Sequence, residues 1–270
     1  MGRTLSQHQA ALTLLQSLAA DPARTEIRWL DLACGRGQII SRLQANLPTQ
    51  DRKRIHYFGF DINNDHVREA EKISKEQGFA TSVFEIGELS KFASVVPSSP
   101  KFDFITLTNT VHEIVPFGLP NLLYECISRL SNTGLMYAYD MELLPKTALE
   151  LGAIPWSFQE ISSIVSSLYE ELKIGKTPNI GQWEHSTCTG WSLLIHRQYL
   201  TEIPGPPESD AALEVVTARI TTLLQEKLNQ VTASLESLTR YGPESAEEAE
   251  DKTRYLYDYW ALDRALRVGK

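Results

Sequence analysis

The chain has 270 residues, 42% of them hydrophobic and 22% charged, enough apolar content for a substantial core in one large domain or a domain with an appendage. Its 26 lysines and arginines stand against 34 aspartates and glutamates, a formal net charge of -8 that disfavours nonspecific attraction to a polyanion and sets nucleic acid behind small molecules as a partner. No apolar run reaches about 18 residues, which excludes an expected membrane span, and the first eight residues lack the apolar centre of a signal peptide.

Leu12, Leu15, Leu18 and Ala19 recur at helical spacing and predict an amphipathic helix over 6–20. From there the chain alternates. A strand over 27–33 leads to a helix over 37–47, a strand over 55–61 to a helix over 64–77, and a strand over 81–86 to a short irregular segment. A strand over 102–108 leads to a helix over 119–131, then a strand over 134–140 and a helix over 157–172. This order implies an α/β fold with a doubly wound, mainly parallel sheet. Two apolar runs over 183–187 and 191–196, split by Cys188-Thr189-Gly190, read as an antiparallel hairpin that closes it.

Pro204-Gly205-Pro206-Pro207 is a stop and hinge, which divides a domain over 1–205 from a helical extension over 206–270. Beyond it Leu213, Val216, Ile220, Leu224, Leu228, Val231, Leu235 and Leu238 form one stripe on a helix of about seven turns. Gly242-Pro243 breaks that helix, and acids over 244–251 open a second one carrying Tyr255, Tyr257, Tyr259, Trp260, Leu262 and Leu266. Its basic end, Arg264, Arg267 and Lys270, suits the helix dipole. The stripe has two open uses: packing on its own domain, or pairing with a second copy or a partner protein.

The most informative stretch is Trp29-Leu30-Asp31-Leu32-Ala33-Cys34-Gly35-Arg36-Gly37-Gln38-Ile39-Ile40. An apolar strand meets an acid, turns through two glycines and enters an apolar-periodic segment. Glycine lets a ligand approach bare backbone, and a helix opening near Gly37 would aim free amides at it. A nicotinamide fingerprint needs glycine or alanine where Ile40 stands, and Asp31 suits a cationic group better than a pyrophosphate. Tyr57-Phe58-Gly59-Phe60-Asp61-Ile62-Asn63 is a second strand ending at an acid, suited to ribose hydroxyls. The polar insert Thr49-Gln50-Asp51-Arg52-Lys53-Arg54 lengthens the interval between them. Ser82-Val83-Phe84-Glu85-Ile86-Gly87-Glu88-Leu89 and Phe102-Asp103-Phe104-Ile105-Thr106-Leu107-Thr108-Asn109 follow in order.

These four stretches resemble the motifs of the class I S-adenosylmethionine-dependent methyltransferases, over roughly residues 25–200 on the strand count. The resemblance implies S-adenosylmethionine as cofactor. Asp31, Ala33, Gly35 and Gly37 would lie at its methionine moiety, Asp61 and Ile62 at the ribose, Glu88 and the amide of Leu89 at the adenine edge, and Asn109 beside the transferable methyl group. Ala33 stands where many members have glycine, and Glu88 where aspartate is commoner.

Asn109-Thr110-Val111-His112-Glu113 follows the fourth strand, where the acceptor is expected. The Asn-Pro-Pro-aromatic sequence of enzymes that methylate planar amino groups of adenine or glutamine is absent. His112 is the candidate general base, since an ordinary imidazole takes up a proton near neutral pH. Glu113 is placed to orient it or bind an amine, and Asn109 completes the catalytic set. The plainer uses are a structural histidine and a solvated helix-start acid. Asp140, at the end of the fifth strand, is a second substrate contact. Tyr137 and Tyr139 are expected to pack under helices, and Trp156, Trp183 and Trp191 to serve the core before walling a pocket.

The histidines form no H-x-x-x-H pair and Cys34, Cys126 and Cys188 are dispersed, so no metal and reduced cytoplasmic thiols are expected. Asp61 to Asp65 imitates a calcium loop with His66 at the obligatory glycine. Gly175-Lys176-Thr177 imitates a phosphate loop with Glu170 at its first glycine. The expectation is a cytoplasmic methyltransferase acting on an oxygen or nitrogen of a small molecule. The alternatives are a catalytically idle S-adenosylmethionine-binding scaffold, or a methyltransferase acting on RNA or protein.

Overall fold

A computed structural model describes residues 6–144, 150–185 and 188–268. The elements are α1 (Ser6–Ala20), β1 (Ile27–Leu32), α2 (Leu43–Asn46), α3 (Thr49–Arg52), β2 (Ile55–Asp61), α4 (Asn64–Gln77), β3 (Thr81–Ile86), α5 (Phe92–Val95) and β4 (Phe102–Thr108). After them come α6 (Leu119–Arg129), β5 (Leu130–Met141), α7 (Phe158–Leu172), β6 (Ile180–His185), β7 (Cys188–His196), α8 (Glu208–Tyr241) and α9 (Ala246–Val268). The chain divides into two compact units. The first holds Met1–Thr110, Leu122–Tyr139 and Leu193–Leu200, and the second Val111–Asn121, Asp140–Ser192 and Thr201–Lys270.

The strands form one sheet in the order β3-β2-β1-β4-β5-β7-β6, parallel except for the antiparallel C-terminal pair. The order reverses between β1 and β4, which is where open α/β sheets form a crevice beyond their strand ends. Strand β1 is central, and Ile27, Trp29, Leu30 and Leu32 are all buried, as expected of a parallel strand covered on both faces. Trp29 and Tyr57 pack edge to face with ring centroids 4.9 Å apart. Helix α4 is set by its ends: the Asn63 side chain accepts from the backbone N–H groups of Asp65 and His66, and Gly78 closes it at φ 71°.

Three expected elements differ. The helix over 37–47 is instead a 3-10 turn over Ile40–Arg42 and the single turn α2. Gly37 has φ 79°, outside the right-handed helical region, and Leu47 turns extended ahead of Pro48. The loop therefore presents strand-tip backbone and no long helix N-terminus. Helix α6 passes straight into β5, whose register jumps from Phe102↔Leu130 to Phe104↔Leu135. Gly134 makes that jump feasible, because a Cβ there would lie 2.7 Å from the Phe102 carbonyl oxygen. Cys188-Thr189-Gly190 belongs to β7 and so is not the expected turn, and residues 186–187 lie outside the described residues. Gly190 lets the second unit close up: a Cβ there would lie 2.0 Å from Trp183 Cζ2 and 2.5 Å from the Asp140 carbonyl oxygen.

In the second unit α8 packs on α7, on α9 and on the 3-10 turn Pro116–Gly118. Val216, Ile220 and Leu224 of its stripe are buried, while Leu213, Leu228, Val231, Leu235 and Leu238 are half-buried. Trp156 and Trp191 are buried there, with Trp191 Nε1 donating to the Trp156 carbonyl at 3.0 Å; Tyr137 and Tyr139, of the first unit, are buried as well. Lys270 lies outside the described residues. Among those described, no helix is long and apolar enough to cross a membrane.

Candidate active site

Asp31 is 2% exposed near the end of β1 and fully engaged by the neighbouring strands. Tyr57 Oη donates to its Oδ2 at 2.8 Å and Thr106 Oγ1 to its Oδ1 at 2.6 Å, while Trp29 Nε1 donates to Thr106 Oγ1 at 2.8 Å. Burial pushes its carboxyl up to about 6; the two hydrogen bonds oppose that shift, and the Asp61 charge adds to it. Its carboxyl is thus committed beneath the loop. Tyr57, Thr106 and Trp29 were not singled out by patterning, although a threonine between Ile105 and Leu107 in a buried strand was a signal for such a bond.

Above it the chain turns through Ala33, Gly35 and Gly37 at φ 53°, 54° and 79°. Gly35 donates its N–H to Asp61 Oδ2 at 2.8 Å, and Asn63 donates its own to Asp61 Oδ1 at 2.8 Å. Gly87 N–H donates to the Asp61 carbonyl at 3.0 Å, tying the tip of β3 to that of β2. Beside Asp61, Ile62 is 66% exposed, Glu88 is exposed and ion-paired with Lys91 at 3.2 Å, and Leu89 is half-buried. Asn109 directly follows β4 at φ 54°, anchored by its N–H on the Tyr139 carbonyl at 2.9 Å. Among the described residues its Oδ1 is buried with no hydrogen-bond partner, a costly arrangement in a site that takes no ligand. The first unit thus gathers Gly35, Gly37, Asp61, Ile62, Glu88, Leu89 and Asn109 at the C-terminal ends of adjacent strands.

In the second unit the 3-10 turn Val111–Glu113 carries His112, 2% exposed. Its Nδ1 lies 2.8 Å from Asp140 Oδ1 and its Nε2 lies 3.0 Å from Glu150 Oε2 and 3.8 Å from Glu113 Oε1. Asp140, itself 1% exposed, also accepts the backbone N–H groups of His112 and Met141, each at 2.7 Å. Burial lowers the imidazole pKa, but the hydrogen bond and charge of Asp140, with those of Glu150, outweigh it and raise the pKa to about 9. His112 is therefore an imidazolium at neutral pH, donating from both nitrogens, and not the ordinary imidazole on which its expected role as base rested. The donor atoms of His112, Glu113 and Glu150 lie within 4.8 Å of one another, close enough for one small cation to touch all three. Glu150 was missed because it stands 38 residues from His112, next to no recognisable pattern.

Glu113 and Glu150 also line a cavity of about 440 Å³, whose other walls include Ile114, Val115, Ile154 and, from α9, Ala261, Arg264 and Ala265.

A family model described as a methyltransferase domain matches residues 24–191. No curated protein matches the chain. The plantazolicin methyltransferase BpumL, solved with a pentazolic desmethylPZN analogue and SAH, is 13% identical with a TM-score of 0.52, covering 71% of this chain and 84% of its own. The CurJ carbon methyltransferase is 14% identical with a TM-score of 0.52, covering 70% and 53%. The magnesium protoporphyrin IX methyltransferase ChlM from Synechocystis PCC 6803, solved with SAH, is 15% identical with a TM-score of 0.49, covering 70% and 82%. For BpumL and CurJ, at these identities, the likeness establishes a common fold.

Proposed function

The chain belongs to the methyltransferase-domain family, whose cofactor is S-adenosylmethionine, and on that premise we propose that it is a cytoplasmic enzyme moving a methyl group to an oxygen or nitrogen of a small-molecule acceptor. The observation that carries this reading is the 2.8 Å bond from Gly35 N–H to Asp61 Oδ2, which joins the glycine loop of β1 to the acidic tip of β2. The residues present suit the cofactor. The left-handed turns leave loop backbone bare, Asp61 offers acceptors to ribose hydroxyls, and Glu88 with the Leu89 amide offers a donor–acceptor pair to a base edge. Asn109 Oδ1, with no partner among the described residues, offers an acceptor to a ligand donor.

When bound, S-adenosylmethionine would supply an electrophilic sulfonium methyl group to the acceptor's lone pair, with SAH as the leaving group. The protein's part is to align the acceptor, exclude water and take the acceptor's proton. We assign the proton to His112 Nε2. An acceptor that displaces Glu150 from Nε2 removes one of the charges holding the imidazole protonated; the Nε2 proton then passes to the departing Glu150 carboxylate and on to solvent, and burial favours the neutral ring. Asp140 keeps Nδ1 as the donor, which leaves Nε2 as the acceptor. Glu113 contacts the incoming polar group, and Asn109 serves the cofactor side.

Calorimetric titration with the demethylated product, SAH, tests the foundation. One site per chain is expected, weakened about 10- to 100-fold in Asp61→Ala by loss of charge-assisted hydrogen bonds. No binding, or no loss in that variant, sinks the reading. The protonated, doubly held state of His112 favours a second reading, a catalytically idle binding protein; SAH formation in cell extract, abolished by Gly35→Arg, decides for the enzyme.

A further inference from the structure

Helix α9 buries one side in the second unit and leaves a markedly apolar side outside. Ala261, Leu262 and Ala265 are buried, while Leu256, Tyr257 and Trp260 are 53%, 39% and 39% exposed. The three recur at i, i+1 and i+4, which puts them on one outward face together with the exposed Glu250, Thr253 and Arg264. Trp260 lies beside Gly152, where an added Cβ would sit 3.5 Å from its ring. Leu151, Val115 and Val268, each more than half exposed, line the groove next to this face. Single exposed apolar residues are ordinary, but a continuous patch with aromatic rings at its centre marks an interaction surface.

The charges along the same face decide what covers it. Glu250 stands toward one end, Arg264 toward the other, and Tyr257 seven residues, about two turns, from each. We propose that α9 is the interface of a two-fold homodimer, in which the α9 helices of two copies pack antiparallel and cross at Tyr257. Each Glu250 then meets Arg264 of the other copy, and Leu256, Tyr257 and Trp260 of both copies meet between the two ion pairs. Parallel pairing would instead set glutamate against glutamate and arginine against arginine. Arg264 lies over the Trp260 ring at 5.1 Å, and a guanidinium stacked in this way keeps in-plane N–H groups for a carboxylate. Opposed helix dipoles favour the same arrangement. An anionic lipid surface would be repelled by the acidic end, and another protein would need this pattern reversed, which a second copy supplies by symmetry. The pairing concerns no reaction step and stands whatever the acceptor is.

Sedimentation equilibrium of the full chain tests the proposal, with a dimer expected. Leu256→Glu, at an exposed position, should give a monomer with the parent's circular dichroism. Glu250→Arg and Arg264→Glu each set like charges together at both ends of the pair. Each should raise the dissociation constant about tenfold or more at low salt. Mixed in equal amounts, the two variants should recover a dimer as tight as the parent's, because each supplies the charge that the other needs; this also shows that both fold. Direction is read by mild oxidation. Tyr257→Cys, at the axis, should cross-link to its own copy, whereas Ala249→Cys, about two turns away, should not, as it would in parallel pairing. A parent that stays monomeric at every concentration overturns the inference and leaves the face to a different partner. A dimer that survives Leu256→Glu, a mixture that fails to re-form it, or self-cross-linking at position 249 overturns it as well.

Discussion

His112 and Asp140 are locked together twice: one carboxylate oxygen of Asp140 meets the imidazole Nδ1 at 2.8 Å, and the other accepts the His112 backbone N–H at 2.7 Å. The ring cannot rotate without breaking a buried contact, and its Nε2 edge is aimed at Glu150 and Glu113. A residue held this way is built to hold or pass a proton at one atom, Nε2.

The pH dependence of activity follows. With His112 at about 9 in the free protein, kcat/KM for the acceptor should rise with pH up to about 9, since the base must be unprotonated. Glu150→Gln removes a raising charge and should move that limb to lower pH, and Asp140→Asn should move it further and also lower kcat. A pH–rate profile that is flat from neutrality to about 9, or unmoved in both variants, removes His112 from the proton path.

Stability carries a separate pH signature from Asp31. Its folded pKa of about 6 exceeds the ordinary 3.8, so between those values the folded chain binds the extra proton. The sign is destabilising with rising pH: the burden is absent below about 3.8 and fully present above about 6. Asp31→Asn should therefore be more stable than the parent at neutral pH, by about 1–3 kcal/mol, and the gap should close on acidification through this window. Urea denaturation of both proteins across it would read the slope. A constant gap would place the effect elsewhere.

Gly190 is required by close approach, not by backbone angle. Gly190→Ala drives a methyl group into Trp183 and the Asp140 carbonyl, an overpacking expected to cost about 1–3 kcal/mol. Gly118→Ala, with nothing within 4 Å of the added carbon, is the matched control and should be near neutral. Thermal unfolding of the two variants checks the difference.

Burial along α8 is uneven, and truncations should follow it. Ile220→Ala removes a fully buried side chain and should destabilise by about 2–5 kcal/mol, whereas Leu238→Ala, half-buried near the far end of the helix, should cost less than about 1 kcal/mol. Equal losses at the two positions would mean that the distal stripe is covered by something further, such as a second copy.

Alternating apolar strands, the glycine loop and the acid at the tip of β2 were legible from order and spacing alone, because a parallel strand buried on both faces must be apolar and a bare turn must be glycine. The stripe on α8 was legible for the same reason, period and burial being two views of one helix face. What failed locally was decided by contacts between distant segments. Nothing near Gly190 announces that a tryptophan ring and a carbonyl leave no room for a Cβ, and Gly37 reads as a helix start until its positive φ ends that option. The site divides along the same line. Asn109, His112 and Glu113 were visible as candidates, but the charge on His112 depends on Asp140 and Glu150, 28 and 38 residues away. A pKa is set by the groups within a few ångströms of the ring, and only the tertiary structure chose those neighbours.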